Sequence, residues 1–193
     1  MNIITHYLRF ATINLSVIIC YNINMTKTNT DYVHSTHGFG AVYDTASKIL
    51  ILGSHPSVKS KQAGFFYMHP KNRFWKVLSR LFNVDFIDAD IATRKTLLLN
   101  NHIAIYDVVE ECDIIASSDA SIRNVVYADI PTIIDSSQIK HIFLNGQKAY
   151  TLFVKAFPQY VSIATPLPST SPANAAASLE KLLDKWKVIT AFL

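Results

Sequence analysis

Two asparagines stand at positions where a side-chain amide could take part in chemistry. Asn72 lies just before Phe74, where an apolar stripe begins, and Asn145 ends an apolar run before Gly146. A carboxamide at such a place can orient a water molecule or contact a sugar, because it offers both a donor and an acceptor. Asparagine is also among the best helix N-caps and a common turn residue. Both interpretations stay open from these residues alone.

A third candidate is the histidine in the loop Gly53-Ser54-His55-Pro56-Ser57. This loop lacks the Gly-Lys-Ser/Thr ending of a phosphate-binding P-loop and the Gly-x-Ser-x-Gly pattern of a hydrolase nucleophile elbow. His55 could aim a polar group at a reaction centre, but a solvated loop histidine is the more common case.

An aromatic-rich loop, residues 64–70, precedes the helix predicted after Asn72. Phe65, Phe66 and Tyr67 are adjacent in it. Loops seldom carry three neighbouring rings unless the rings are packed or offered to a flat ligand. A nucleic-acid base stacked on Tyr67 would use this arrangement, and a lid over the core is the structural alternative.

A polar segment near the carboxyl terminus could bind phosphate. It reads Ser169-Thr170-Ser171-Pro172-Ala173-Asn174 and precedes a helical stripe, with Ser171 as the predicted N-cap and Pro172 as the first helical residue. Exposed N–H groups at a helix N-terminus bind phosphate readily, although ordinary capping also explains these residues. Residues 117–121 are polar as well, and a solvated loop is their simpler interpretation.

Short apolar runs alternate with helical stripes along the chain. The runs cover residues 48–53, 103–109, 141–146 and, more weakly, 161–168. Helical stripes start at Phe74, at Ala149 and near Pro172. This alternation predicts an α/β fold of three layers, α/β/α, with a central and mainly parallel sheet. Ligands of such sheets bind at the carboxyl ends of the strands, so the polar segments that follow the strands are expected to meet there.

The composition fits one globular domain. The 193 residues are 50% hydrophobic and 17% charged, which supplies enough apolar material for a core. The net charge of +4 and the pI of about 9.0 favour anionic partners only mildly. Two distant cysteines, Cys20 and Cys112, argue against a zinc site or a disulfide framework, and Cys112 is expected to be a small buried residue after a strand.

The amino-terminal part differs from the rest. Residues 11–23 carry no charge, but they are too short and too interrupted by polar side chains to predict a membrane span, and no signal-peptide cleavage site follows. We therefore expect residues 1–36 to form an N-terminal extension, in which Met25 is the natural start. Residues 37–193 are expected to form the folded domain.

The segment His69-Pro70-Lys71-Asn72-Arg73-Phe74-Trp75-Lys76-Val77 resembles the His-Pro-x-Asn-Arg-Phe-Trp-Lys-Val signature of the mismatch-specific uracil glycosylases. The full set of motifs is more similar to the hypoxanthine-DNA glycosylase (deoxyinosine glycosylase) family of the uracil-DNA glycosylase superfamily. The resemblance spans about residues 37–187. Its other motifs are Gly38-Phe39, Val42-Tyr43-Asp44, residues 50–54 and 56–60, Asp107-Val108, Ser117-Ser118-Asp119, residues 143–146 and residues 167–176.

This resemblance implies a uracil-DNA glycosylase-like fold and a monofunctional DNA glycosylase for base excision repair. Such an enzyme hydrolyses the N-glycosidic bond of a deaminated base, with hypoxanthine preferred. The resemblance assigns the catalytic amide to Asn72 and a second site asparagine to Asn145. His55 stands where the family usually has Phe, and it is the third catalytic candidate.

The remaining site residues follow from the same resemblance. Contacts to the base are expected from Gly53, Ser54, Pro56, Ser57, Tyr67 and Asp107. Contacts to the DNA strand are expected from Ser169, Thr170, Ser171, Pro172, Ala173 and Asn174.

The implied enzyme needs no metal and no cofactor, acts on DNA that contains a deaminated base, and is a cytoplasmic monomer without membrane contact. No lysine is suggested as a Schiff-base nucleophile, so strand cleavage is not expected. Three alternatives stay open. The target could be uracil or xanthine, the protein could bind DNA without catalysis, or an unrelated α/β module could bind a nucleotide.

Overall fold

The computed structural model describes residues 31–193, which form seven strands and six α-helices. The strands are β1 (Val33–Thr36), β2 (Ile49–Gly53), β3 (Ile103–Asp107), β4 (Val109–Ile114), β5 (Arg123–Tyr127), β6 (His141–Asn145) and β7 (Ala164–Leu167). The helices are α1 (Val58–Ala63), α2 (Phe74–Phe82), α3 (Ile91–Asn100), α4 (Ile130–Asp135), α5 (Gln147–Ala156) and α6 (Leu179–Trp186). Three short 3-10 segments complete the order, at Asp119–Ser121, Pro158–Ile163 and Lys187–Phe192.

A parallel sheet of four strands, in the order β3-β2-β6-β7, forms the centre of the molecule. In β2, Ile49 pairs with Ile103 on one side and with His141 on the other. All five residues of β2 and of β3 are buried. Strands inside a parallel sheet are covered on both faces, which is why their sequences are continuous apolar runs. The predicted α/β fold with a parallel sheet is confirmed.

The helices bury their apolar stripes against the sheet and against one another. In α2, the residues Phe74, Val77 and Leu78 are buried, as their three- and four-residue spacing predicts. The helix α2 packs against α6, where the rings of Phe74 and Trp186 meet edge to face. The helix α3 packs on β3, and α5 packs on β6 and β7. Helices that precede the central strands in the sequence and helices that follow them therefore both pack on the sheet.

A second sheet, antiparallel and of three strands in the order β1-β4-β5, was not predicted. Only Val108 separates β3 from β4, so the apolar run of residues 103–109 passes from one sheet into the other. Cys112 lies inside β4 rather than after a strand, and it is buried and free of disulfide bonds, with burial raising the pKa of its thiol.

Because of strand β1, the folded unit starts earlier in the chain than the sequence predicts. The sequence predicts that the folded domain starts at residue 37, but Val33 pairs with Ile114 and Thr36 with Glu111. The compact unit therefore runs from Tyr32 to Leu193. The hypothesis that Met25 is the natural start falls on residues outside the described part.

The prediction of the last helix near Pro172 is wrong. The helix α6 begins at Leu179, and the side chain of Ser178 caps it. The residues before it form turns, because the Arg73 guanidinium binds their carbonyl oxygens. In a helix, those oxygens would instead accept hydrogen bonds from backbone N–H groups further along the chain. These carbonyls belong to Ser171, Asn174 and Ala177. Within residues 31–193, no helix is long and apolar enough to cross a membrane.

Candidate active site

The carboxyl ends of β2, β3 and β6 open into a polar pocket of about 100 Å³. The strands deliver Gly53, Asp107 and Asn145 to its floor, and Asn72 reaches it from the turn before α2. Of the predicted site residues, twelve line this pocket: Gly53, Ser54, His55, Pro56, Ser57, Tyr67, Asn72, Asp107, Asn145, Ser169, Thr170 and Ser171. Pro172, Ala173 and Asn174 lie outside its lining.

Gly53 lets the carboxyl group of Asp107 approach the end of β2. A Cβ atom at position 53 would lie 2.2 Å from Asp107 Oδ1 and 3.2 Å from the Tyr67 hydroxyl. No side chain can occupy that space without moving the carboxylate. Glycine at this strand end therefore serves a close approach rather than an unusual backbone angle.

The second carboxylate oxygen of Asp107 contacts a histidine that no sequence motif predicts as a site residue. His37 Nε2 lies 2.9 Å from Asp107 Oδ2, and both side chains are buried. His37 Nδ1 lies 2.7 Å from the carbonyl oxygen of Phe39. In the described part of the chain, Asp107 Oδ1 has no hydrogen-bond partner. Asp107 Oδ1 is thus free at the pocket, while Oδ2 contacts His37.

His55 is buried, and both of its ring nitrogens are already hydrogen-bonded. Nδ1 donates to the Val109 carbonyl at 3.1 Å, and Nε2 lies 2.9 Å from Ser35 Oγ. The Ser35 hydroxyl in turn accepts a hydrogen bond from the Lys61 ammonium group. Burial lowers the pKa of His55, and the positive charge of Lys61 adds to this effect. The imidazole is therefore neutral and links β1 to β4 at the edge of the pocket.

The loop of residues 117–121 closes one side of the pocket, although the sequence favoured a solvated loop. Ser54 Oγ donates to Asp119 Oδ1 at 2.7 Å, and Ser117 Oγ accepts from the backbone N–H of Val58 at 3.1 Å. Asp119 is exposed as a residue, but its carboxylate faces Ser54 in the pocket. Loss of hydration there and the charge of Asp107 raise the pKa of Asp119. The only sequence signal for this loop was its place among the family motifs.

Asn72 combines a structural contact with a free donor. Its Oδ1 accepts a hydrogen bond from the backbone N–H of Phe74 at 2.9 Å, which fixes the start of α2. Arg73 occupies the cap position itself, so Asn72 supports the helix start from one residue earlier than a true N-cap. Its Nδ2 group has no partner among residues 31–193 and lies in the lining of the pocket.

Asn145 fastens the end of β6 to the loop of residues 169–174. Its Oδ1 accepts from the backbone N–H of Thr170, and its Nδ2 donates to Thr170 Oγ1, each at 2.9 Å. At the neighbouring Gly146, whose φ is +107°, a Cβ atom would lie 2.9 Å from Ser169 Cβ. The loop therefore packs directly on the strand end.

The helix N-terminus that could have bound phosphate does not lie at residues 169–174, because α6 begins at Leu179. Ser171 Oγ accepts from the backbone N–H of Ala173 at 3.3 Å and so supports a turn. Asn174 Nδ2 donates to the Ser169 carbonyl at 2.9 Å. The loop remains beside the pocket, held by side chains rather than by a helix.

Tyr67 has one face of its ring covered. It stacks on Phe74 with ring centres 3.8 Å apart, in a backbone conformation with φ of 56°. Its hydroxyl is buried, and it has no hydrogen-bond partner in the described part of the chain. Burial and the nearby Asp107 carboxylate raise the pKa of Tyr67, so the hydroxyl keeps its proton and is available as a donor.

Residues 31–193 contain no cluster of three or more His, Cys, Asp or Glu side chains arranged to hold a metal ion. The polar groups of the pocket are instead a carboxylate oxygen, a carboxamide, a phenol and several hydroxyls. Such a set can recognise the hydrogen-bonding edge of a planar polar molecule and position a water molecule beside it.

Comparison with known proteins gives matches over most of the chain. The profile of the uracil DNA glycosylase superfamily matches residues 40–193. A hypoxanthine DNA glycosylase of Methanosarcina acetivorans is 28% identical over 155 residues, covering 79% of this chain and 96% of that protein. A protein of the same name from Methanosarcina barkeri is 29% identical over 152 residues, covering 77% and 94%.

Among solved structures, the solution NMR structure of a Methanosarcina acetivorans protein provisionally described as a uracil DNA glycosylase matches with a TM-score of 0.70. The two chains are 26% identical, and the match covers 82% of this chain and 97% of the other. The parallel sheet, the pocket at its carboxyl edge and the family profile agree, and the chain belongs to the uracil DNA glycosylase superfamily.

Proposed function

We propose that the protein is a monofunctional DNA glycosylase that removes deaminated bases from DNA, with hypoxanthine as the main target. The observation that carries this proposal is the unpaired Oδ1 of Asp107 on the floor of a polar pocket, with Asn72 in the same lining. The names of the two Methanosarcina relatives support hypoxanthine as the base.

Recognition rests on the ring N–H that deamination creates. Hypoxanthine carries a proton on N1 beside the carbonyl group at C6, whereas adenine has an unprotonated N1. Asp107 Oδ1 accepts this N–H, and it would face a lone pair in adenine. Backbone groups of residues 54–57, which line the pocket, bind the carbonyl side in this proposal. The free face of the Tyr67 ring stacks on the base.

The base must leave the duplex before it can enter this pocket. Extrusion costs about a few kcal/mol and is easiest for a mispaired base, which adds selectivity for damage. The loop of residues 169–174 contacts the strand beside the extruded nucleotide. Its anchoring by Asn145 and Arg73 keeps it at a fixed distance from the pocket.

The reaction is the hydrolysis of the bond between the base and C1′ of the sugar. The electron pair of that bond leaves with the base, and the oxygen of a water molecule bonds to C1′, which leaves an abasic site. The water releases a proton that neutralises the departing base. Asn72 holds the water or the sugar, and donors around the base stabilise its developing negative charge. No lysine lines the pocket in the described part of the chain, so no Schiff base forms.

The test uses duplex oligonucleotides that contain one deoxyinosine, one deoxyuridine or one deoxyxanthosine, followed by alkali to cleave abasic sites. We expect the fastest product formation from deoxyinosine. Absence of cleavage with all three oligonucleotides would refute the proposal, and tight binding without cleavage would instead favour a non-catalytic DNA-binding protein.

A second candidate is an enzyme directed at uracil or xanthine. One observation favours it, because uracil and xanthine also present a ring N–H beside a carbonyl group to Asp107 Oδ1. The same oligonucleotides rank the three bases.

We also propose that the enzyme acts as a monomer in the cytoplasm. Size-exclusion chromatography with light scattering measures its mass in solution.

A further inference from the structure

His37 lies next to the pocket without lining it, and the reaction as proposed makes no use of it. The side chain is completely buried, and its two ring nitrogens contact the Phe39 carbonyl and the Asp107 carboxyl group. A buried histidine in contact with a pocket carboxylate can control both the orientation and the charge of that carboxylate.

The two contacts restrict where the ring can carry protons. A carbonyl oxygen only accepts, so the 2.7 Å contact with Phe39 requires a proton on Nδ1. When Asp107 is ionised, its carboxylate only accepts, so the 2.9 Å contact with Oδ2 then requires a proton on Nε2. A ring that donates from both nitrogens is an imidazolium cation.

The ring is fully buried among aromatic side chains, so a charge on it is compensated by the Asp107 carboxylate and not by water. The rings of Phe39, Tyr106 and Phe66 have their centres 4.5, 4.6 and 5.7 Å from that of His37. Aromatic rings close to a desolvated cation attract it through their electron-rich faces. Besides Tyr106, the ionisable side chains near the ring are Asp107, in direct contact, and His55, with its ring centre at 6.2 Å. The Tyr106 hydroxyl donates to the Glu110 carboxylate at 2.5 Å.

We propose that His37 is a positioning residue, held as an imidazolium that orients the Asp107 carboxylate and cancels its charge. This inference rests on the proposed function, since it explains how Asp107 reads the base. With Oδ2 bound to His37, Oδ1 stays directed at the pocket as an acceptor for the ring N–H. The choice of deaminated bases over adenine and cytosine depends on this acceptor.

Charge neutralisation matters for the bond-breaking step. The base departs with the electron pair of the glycosidic bond, and an uncompensated carboxylate against it would oppose that charge. The imidazolium makes the pair neutral overall, so Asp107 can accept the ring N–H without adding a net negative charge to the pocket. Groups that favour the charge distribution of the transition state act on the rate of the chemical step rather than on binding.

The kinetic test compares His37→Leu and His37→Gln in single-turnover excision of hypoxanthine. Leucine offers no donor, and we expect the saturating rate to fall about 100-fold, as when one donor is removed from a catalytic site. Glutamine keeps a neutral donor for Asp107, and we expect a fall of about 10-fold. The enzyme concentration that gives half of the maximal rate should stay within about twofold, because the fully buried His37 cannot reach the DNA.

His34→Gln is the matched control. His34 lies in β1, close in sequence to His37, and also contacts an aspartate, Asp113, but it is exposed and does not line the pocket. The same chemical change there should leave the rate unchanged. A rate of His37→Leu within twofold of the wild type, in a folded protein, would overturn the positioning role and leave the glycosylase proposal intact.

A spectroscopic test needs no active variant. In wild-type protein with ¹⁵N-labelled histidine, the ring of His37 should show protons on both nitrogens at pH 7, and Asp107→Asn should remove one of them. An unprotonated Nδ1 or Nε2 in the wild type would overturn the inference. If no oligonucleotide is cleaved, the proposed function fails, but this measurement still tests the state of the pair.

Discussion

The two ends of the Asn72 amide have separable tasks. Its oxygen supports the start of α2 by binding the Phe74 N–H, while its nitrogen has no partner among residues 31–193 and belongs to the pocket lining. The sequence left a cap and a catalytic amide as alternatives. The geometry allows both at once, because each uses a different atom.

Replacement of Asn72 should therefore affect activity far more than stability. We expect Asn72→Ala to lower the excision rate about 100-fold or more, because it removes the group that we propose to position the water or the sugar. The free energy of unfolding should fall by only about 1 kcal/mol, as for a lost cap. Single-turnover kinetics and urea denaturation measure the two effects.

The variant Asn72→Asp refines this test, because it keeps an oxygen for the Phe74 N–H but removes the free donor. It should be nearly as stable as the wild type and nearly as inactive as the alanine variant. The control is Asn100→Ala, at an exposed asparagine at the end of α3. Full activity of both Asn72 variants would reduce this residue to a helix support.

The buried neutral state of His55 should make stability depend on pH. Burial lowers its pKa from the ordinary value of 6.5, so the unfolded chain takes up the proton at higher pH than the folded protein. The unfolded state then binds more protons, and stability falls as the pH drops below about 6.5. Above that pH the contribution is fully present.

The measurement compares the free energy of unfolding of wild type and His55→Phe between pH 5 and pH 8. The wild type should lose stability relative to the variant as the pH falls. The pKa of His141 is also lowered by burial, but His141 is present in both proteins and cancels in the difference. A difference that does not change with pH would show that His55 does not titrate as described.

At the scale of elements, Arg73 holds the loop beside the pocket. Its guanidinium donates to the carbonyls of Thr170, Ser171, Asn174 and Ala177, while the backbone at Arg73 leads directly into α2. One side chain therefore ties the helix that carries Asn72 to the loop expected to contact the DNA strand. The planar fork of arginine suits several carbonyls at once, which lysine cannot reproduce.

Arg73→Lys should loosen this loop without changing the pocket residues themselves. We expect a loss of roughly 2–3 kcal/mol in the free energy of unfolding, since several hydrogen bonds to a charged group are removed. Amide hydrogen exchange of residues 171–177 should become at least about tenfold faster. Arg80→Lys, at an exposed position of the same helix, is the control and should change neither quantity. Unchanged exchange in Arg73→Lys would contradict the clamp.

The sequence predicts the parallel strands well because each is a continuous apolar run between polar turns. It does not predict β1, whose residues Val-His-Ser-Thr show no apolar alternation, nor β4, which looks like a continuation of β3. The start of the last helix was misplaced because the contacts of Arg73 come from about a hundred residues away in sequence. Local capping signals at Ser171 and Pro172 cannot include such contacts.

For the site, the sequence identifies the residues that follow strands but not the pairs that they form. Asp107 was a candidate for base contact, whereas His37 has no local pattern that marks it, and 70 residues separate the two in the chain. The partners of His55 are likewise distant, since they come from β1 and β4. The pairing of β1 with β4 brings Ser35 and the Val109 carbonyl together around His55 at the pocket.

At the scale of the whole molecule, the two sheets share one continuous segment. Val108 alone joins β3 to β4, and its backbone N–H and carbonyl bond to Gly53 and to Ala128. The core residues of the two sheets form one cluster. If either sheet lost its packing, core residues of the other sheet would be exposed to water.

Unfolding should therefore be a single cooperative transition. Trp75 and Trp186 are buried near α2 and α6, so their fluorescence reports on the helical side of the core, while circular dichroism reports on all elements. We expect the two urea curves to coincide and to give one midpoint. Two separate midpoints would show that the antiparallel sheet unfolds independently.

The connection through Val108 also has a consequence for how the pocket would accept a base in the proposed function. Asp107 cannot swing toward a ligand, because the chain on both sides of it is locked into sheets and its carboxyl group is pinned between Gly53 and His37. The floor of the pocket is thus preorganised, and any fitting to the DNA falls to the loops at its rim. Because this floor is rigid, a base whose hydrogen-bonding edge does not match it is excluded from the pocket.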